Sequence, residues 1–317
     1  KRSIKFDAIS ISFVINSIKS FAFEGCSSIK KVTIHNLVTS IGDYAFARCS
    51  SLTQISIPDS VKSISEGCFN ECKSLISISI PMSVRLIRHK TFAECSSLSN
   101  ITIPNSITKI ESEAFSKCAS LTSISIPESI VKISSSTFSE CTALKNVVMP
   151  HSVSSIENFA FYGCSSLSEV KIPNSVYLIG ELAFSGCSSL KKISIPSSVI
   201  EIKSKAFADC SSLSEIIIHS NSINEICANT FFKCISLKQF VIPHSVKQIK
   251  KFAFFGCSSL EIIDIPDSVM SIEESAFEKC SSLVQISIPS SVAEIGEYAF
   301  SECLSLTKIS IPSSVTS

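Results

Sequence analysis

A phenylalanine returns every 23 residues along most of this chain, at positions 23, 46, 69, 92, 115, 138, 161, 184 and 207. One extra residue enters between His219 and Cys234, and the series resumes at 231, 254, 277 and 300. A fixed period of this length constrains the fold more than any local propensity. It marks a solenoid in which each copy is one small supersecondary unit that cannot bury its apolar face alone. A cysteine follows each of these phenylalanines by three, from Cys26 to Cys303, and a leucine (Ile29 in the first case) follows each cysteine by three. Only Cys68 and Cys227 of the 15 cysteines stand off this ladder.

One full copy reads Cys49-Ser-Ser-Leu52-x-x-Ile55-x-Ile57-Pro58-x-Ser60-Val61-x-x-Ile64-x-x-x-Cys68-Phe69. Leu-x-x-Ile-x-Ile is a short strand that alternates apolar and polar residues, with Leu52, Ile55 and Ile57 inward and Gln54 and Ser56 outward. Pro58 ends it, because proline has no N–H to continue a ladder. Ser60 is placed to bond turn backbone. Val61 and Ile64 return to the core on the opposite wall. Ala-Phe-x-x-Cys reads as a single helical turn that drops a large ring into the centre, and Ser-Ser closes the last turn. Two copies lose the proline, with His35 and His219 in its place.

The expected organisation is one array over residues 1–317, about thirteen copies long. Residues 3–25 form a degraded first copy, with Phe6, Ile9, Ile11, Ile15 and Ile18 in its apolar slots. Residues 303–317 form a partial last copy. Neither end has the polar outer face of a solenoid cap, so the chain is expected to be a fragment of a longer protein. With 45% hydrophobic residues there is ample material for a continuous core, and no apolar run approaches a membrane span, so no membrane insertion is expected in this segment. The formal net charge of +1 offers no reason to expect nucleic acid as a partner.

The unit Leu-x-x-Ile-x-Ile-Pro-x-Ser-Val-x-x-Ile-(Gly)-x-x-Ala-Phe-x-x-Cys resembles the BspA-like leucine-rich repeat of bacterial and protozoan surface proteins, and the likeness covers essentially the whole chain. The resemblance implies an α/β fold. It would be a right-handed leucine-rich-repeat solenoid with a parallel β-sheet on the concave face, and short strands and single helical turns on the convex side. It also implies recognition or adhesion at a cell surface or after secretion, and it brings no shared catalytic residues.

Chemistry-bearing motifs point the same way. There is no G-x-S-x-G and no P-loop, the eight glycines are isolated, and serine follows the repeat into turns, so no enzyme is expected and no cofactor. The cysteine ladder admits a disulfide framework, but identically oriented side chains have no natural pairing. An odd total of 15 also argues against complete pairing. Buried thiols acting as small hydrophobes is the expected reading. No C-x-x-C pair suggests zinc, and no metal site is expected. Cys68 is expected in the core, and Cys227 is the candidate for an exposed, reactive thiol. His219 and His244 are expected as exposed turn residues. Asn100-Ile101-Thr102 is the one N-x-[ST] sequon.

On the concave sheet the second and fourth residues after each leucine face outward. Early copies show small polar pairs such as Ser77/Ser79 and Asn100/Thr102. From Val148 on, the wall mixes charge with aliphatics, which marks a protein contact. The expected binding residues are Glu169, Lys171, Lys192, Glu215, Ile217, Gln239, Val241, Ile262 and Asp264. The expected function is non-catalytic recognition of a protein or glycan ligand through this face. The alternative is an intracellular (cytoplasmic) scaffold or cytoskeleton-associated part.

Overall fold

A computed structural model describes residues 7–11 and 15–317. It divides into two compact units, Lys1–Val153 and Ser154–Ser317. Each is a stack of coils, and every strand pairing within each is parallel with partners one period apart. In the first unit Ile9 pairs with Val32, and Val32 with Ile55. In the second unit Ile193 pairs with Ile216, and Phe240 with Ile263. A typical coil carries a longer strand, such as Ser77–Ser79 or Lys192–Ile195, and a two-residue strand, such as Leu86–Ile87 or Glu201–Ile202. The fold is thus a parallel β-solenoid of the leucine-rich-repeat kind.

The core follows the repeat. Leu52, Val61, Phe69 and Cys72 are fully buried, as are their counterparts Leu190, Val199, Phe207 and Cys210 in the second unit. The repeat phenylalanines stack ring on ring along the axis. Their centroids lie 5.2–5.8 Å apart from Phe23 to Phe138. From Phe161 to Phe300 they lie 5.3–5.9 Å apart. The face of each ring is therefore covered by its neighbours, and the stack is an apolar spine common to all coils of a unit. The first copy departs from the expected pattern. Ile11 and Ile18 are buried and Ile9 is half-buried, but Ile15 is 42% exposed. Phe6 lies outside the described residues.

The helical part of the expectation does not hold. No helix occurs among the described residues. The Ala-Phe-x-x-Cys segment is instead a run of tight turns in which the residues two before and two after each phenylalanine adopt left-handed φ. Tyr44 and Arg48 flank Phe46 at 52° and 57°. An α-helix directs its N–H groups back to its own carbonyls. Here they leave the coil: the amides of Tyr44, Phe46 and Arg48 donate to the carbonyls of Glu66, Cys68 and Asn70 in the next coil at 2.8, 2.9 and 2.7 Å. The same triplet recurs at Phe159, Phe161 and Gly163, bonded to Glu181, Ala183 and Ser185. Alternating handedness turns every second amide along the axis, so this wall becomes a third inter-coil ladder. A left-handed non-glycine residue costs about 1–2 kcal/mol, and the bonds it frees between coils offset that cost. Gly67 shares this position and its left-handed φ, here 55°, with Tyr44 and Lys90 of the adjoining coils, and the Tyr44 ring lies over it, 2.3 Å from where a Cβ would sit.

Two side chains of the repeat act between coils. The Pro-x-Ser serine bonds the preceding coil: Ser60 Oγ donates to the Val38 carbonyl at 2.8 Å and Ser198 Oγ to that of Val176 at 2.7 Å. In the coil with the inserted residue, Ser220 is fully buried and takes this role toward Val199. The ladder cysteines are also more than small hydrophobes. Cys72 Sγ lies 3.1 Å from the Phe46 carbonyl and Cys210 Sγ 3.2 Å from that of Phe184, each placed to donate to it, and the contact repeats along both units. All 15 cysteines are free thiols. Burial pushes Cys95, Cys141, Cys210 and Cys257 up to about 12, from an ordinary 9.0.

Two outcomes follow from this core. Phe184→Ala leaves a hole in the ring stack and lowers stability by about 3–5 kcal/mol, read as a shift of the urea midpoint. Thiols raised in the folded state keep their contribution below the unfolded value near 9 and lose it as pH climbs toward about 12. The urea midpoint therefore drops between pH 8 and pH ~10.5, and replacing Cys95, Cys141, Cys210 and Cys257 together by alanine makes that drop shallower, the other raised thiols keeping the remainder. An equally steep drop in the quadruple variant would contradict the assignment.

Candidate functional site

The outward face of the longer-strand sheet in the second unit gathers the residues named from sequence. Inward residues on these strands are fixed by the core, so the outward ones alternate with them by the pleat of the strand. Lys192 stands opposite Glu215 in register, and Ser194 opposite Ile217. Gln239 stands opposite Ile262, and Val241 opposite Asp264. Glu169 and Lys171 occupy the same repeat positions one coil before Lys192 and Ser194. All are solvent-exposed except Glu215, which is half-buried. The apolar members are prominent, with Ile217 45%, Ile262 54% and Val241 76% exposed.

A groove of about 730 Å³ opens on this face between the coils of Glu169, Lys192 and Glu215. The ladder lapses beside it. The segment 168–172 forms no strand, although Val170 and Ile172 are buried like their counterparts Ile193 and Ile195. Among the described residues, the sole backbone bond it makes to the next coil is from the Lys191 amide to the Ser168 carbonyl, stretched to 3.5 Å. One coil on, Lys192–Ile195 and Glu215–Ile218 pair over four residues. Amide and carbonyl groups of Glu169–Ile172 on that side are thus left for other partners.

Lys191, Asn174 and His219 are among the lining residues that were not named from sequence as part of the site. Lys191 was legible, being the first residue after Leu190 and so on the edge of the same strand. His219 is exposed, as expected of a turn residue, and its Nε2 lies 3.1 Å from Ser194 Oγ, which carries the turn onto the face. Among the described residues the ion pair of the groove joins Lys192 Nζ to Glu215 at 2.5 Å, with Lys192 exposed and Glu215 partly so, a geometry worth little in water. Lys171, Lys191, Glu261 and Asp264 have no ion-pair partner among the described residues.

No group of three or more His, Cys, Asp or Glu placed to hold a metal occurs among the described residues. Cys227 is not the exposed, reactive thiol expected. It is half-buried, its Sγ contacts the Glu225 carboxylate at 3.3 Å, and burial with that carboxylate pushes it up to about 12. A thiol so far from ionisation is a poor nucleophile. Cys68 is fully buried, as expected.

The sequence matches the BspA type leucine rich repeat region in six copies, over residues 1–122, 108–234 and 211–317. The chain belongs to the BspA-type leucine-rich repeat family. Among solved structures it is similar to a leucine-rich repeat protein of Bacteroides ovatus, with 35% identity and a TM-score of 0.92 over 99% of this chain and 83% of that one. It is also similar to a leucine rich cell surface protein of Faecalibacterium prausnitzii, with 29% identity and a TM-score of 0.59 over 96% of this chain and 87% of that one. A leucine-rich repeat protein of Eubacterium ventriosum shares the fold at 24% identity and a TM-score of 0.62. No curated protein matches the sequence.

Residues that project from the face without packing duties should be replaceable at little thermodynamic expense. Lys171→Ala, Lys192→Ala and Val241→Ala are each expected to move stability by under about 0.5 kcal/mol, against the several lost with Phe184→Ala. Thermal unfolding of the four variants side by side checks the contrast.

Proposed function

We propose that this chain is a non-catalytic recognition module that binds a protein partner through the longer-strand face between Glu169 and Asp264. The whole of residues 1–317 serves as one repeat array in this reading, and the module works at the cell surface or after secretion. The observation that carries the proposal is the exposure of Ile217, Val241 and Ile262 on neighbouring coils. The strand interior has no use for aliphatic side chains on a wet face, and apolar residues bordered by charge are what a protein contact buries. The cell-surface placement is supported by family membership and by the surface protein of Faecalibacterium prausnitzii among its structural relatives. Among the described residues no helix is long and apolar enough to cross a membrane.

A second reading, an intracellular scaffold, is favoured by one observation: every cysteine is a free thiol. Reducing compartments preserve such thiols. Burial preserves them too, which is why the surface reading stands first.

Selection from a display library of random dodecapeptides tests the proposal. Peptides enriched on the native chain are expected to lose at least about tenfold in affinity, about 1.4 kcal/mol, toward a Glu215→Ala, Gln239→Ala, Ile262→Ala triple variant. Enriched peptides that bind the triple variant as tightly as the native chain would show that recognition lies elsewhere.

A further inference from the structure

The face of the second unit has an electrical direction. At the groove end stand Lys171, Lys191 and Lys192, against Glu169 and against a Glu215 already held by Lys192. Next come the exposed aliphatics Ile217, Val241 and Ile262. At the far end stand Glu261 and Asp264, both exposed, one coil beyond a single opposing Lys238. Lys171 and Lys191 at one end, and Glu261 and Asp264 at the other, are unpaired among the described residues. The order along the stack is cationic, apolar, anionic. The one charge pair that forms, Lys192 with Glu215, is internal to the groove and does not cancel the ends.

From this order we propose that the partner segment is an extended polypeptide stretch whose own order is acidic, apolar, basic. It would lie across the coils with its acidic end in the groove at Lys171 and Lys191, and its basic end over Glu261 and Asp264. The proposal rests on the reading that this face binds protein, and it adds the partner's chemistry. Unpaired charges at a contact gain by meeting opposite charge and lose by meeting like charge, so they set which partner is accepted and in which orientation. The aliphatic centre supplies the buried area. The spacing is fixed by the stack. Lys171 and Asp264 hold the same repeat position four coils apart. At about 4.8 Å per coil the separation is about 19 Å, which an extended chain at about 3.3 Å per residue covers in about six residues.

The probe is an acetylated, amidated peptide of two glutamates, a Ser-Leu-Val-Leu-Ser centre and two lysines, which sets its inner charges six residues apart. Its control has the same composition with glutamates and lysines interleaved at both ends. Titration calorimetry on the full chain is expected to show the ordered peptide binding at least tenfold tighter than the interleaved one. The charge-reversed variant Lys171→Glu, Lys191→Glu is expected to lose that advantage and to prefer a peptide with lysines at both ends. Both substitutions fall on exposed side chains, and thermal unfolding verifies that the variant is folded. Equal binding of ordered and interleaved peptides, with both lost in the Glu215→Ala, Gln239→Ala, Ile262→Ala variant, overturns the charge order and leaves the protein-binding face intact. Binding of both peptides that persists in that triple variant overturns the face as well. No binding of the ordered peptide below about millimolar concentration, where association is worth about 4 kcal/mol, also overturns the proposal.

Discussion

Everything in this molecule depends on the contact of one coil with the next. A single 23-residue turn of chain would hold Leu190, Val199, Phe207 and Cys210 in water, and all four are fully buried only because neighbouring coils cover them. The hydrophobic term is large but non-directional. The direction comes from three sets of hydrogen bonds that run along the axis: the strand pairs, the turn-wall amides and the side-chain bonds of serine and cysteine. Each set has the period of the sequence, so a residue such as Ser198 or Cys210 meets the same carbonyl environment as its counterpart one coil away. The invariance of the inward positions is the price of this arrangement, and the freedom of the outward ones is its yield.

That division separates what holds the fold from what faces outward. The backbone presents outward residues in columns about one coil apart, and changing one leaves the core untouched. Glu169, Lys192 and Glu215 occupy one column, and Lys171, Ser194 and Ile217 the next. A face of this kind is written by substitution alone, which is why family membership fixes the architecture and leaves the ligand to the particular side chains.

Much of the architecture was legible in the sequence, because period, core and outward columns are all consequences of spacing. The turn wall was not. Left-handed residues usually announce themselves as glycine, yet Tyr44, Arg48, Glu94 and Lys117 take that conformation here, and the compensation lies in the adjoining coil, outside any local window. The same is true of the cysteine, whose carbonyl partner sits 26 residues earlier, at Phe46 for Cys72. Ile15 misled because its repeat slot is apolar while its copy is degraded and leaves it exposed. The candidate residues hold matching repeat positions on successive coils, all exposed except half-buried Glu215. The groove beside Glu169 was not foreseeable, since Ser168-Glu-Val-Lys-Ile172 has the alternation of any other strand and nothing in it signals the lapse in pairing.

The turn wall has one further consequence. In a typical coil every second amide at and around the phenylalanine leaves toward the following copy, while the carbonyls between them accept from the preceding one, as Phe23 gives to Ala45 and Phe46 to Cys68. Every copy therefore has a donor side and an acceptor side, always in the same order. Such units join head to tail like links that fit only one way. A gene encoding them can gain or shed a whole link by in-frame duplication or deletion, because the new junction is chemically the same as the old one. A shift by less than a link meets no such tolerance, save where a hydroxyl such as that of Ser220 can step in and restore the lost bond.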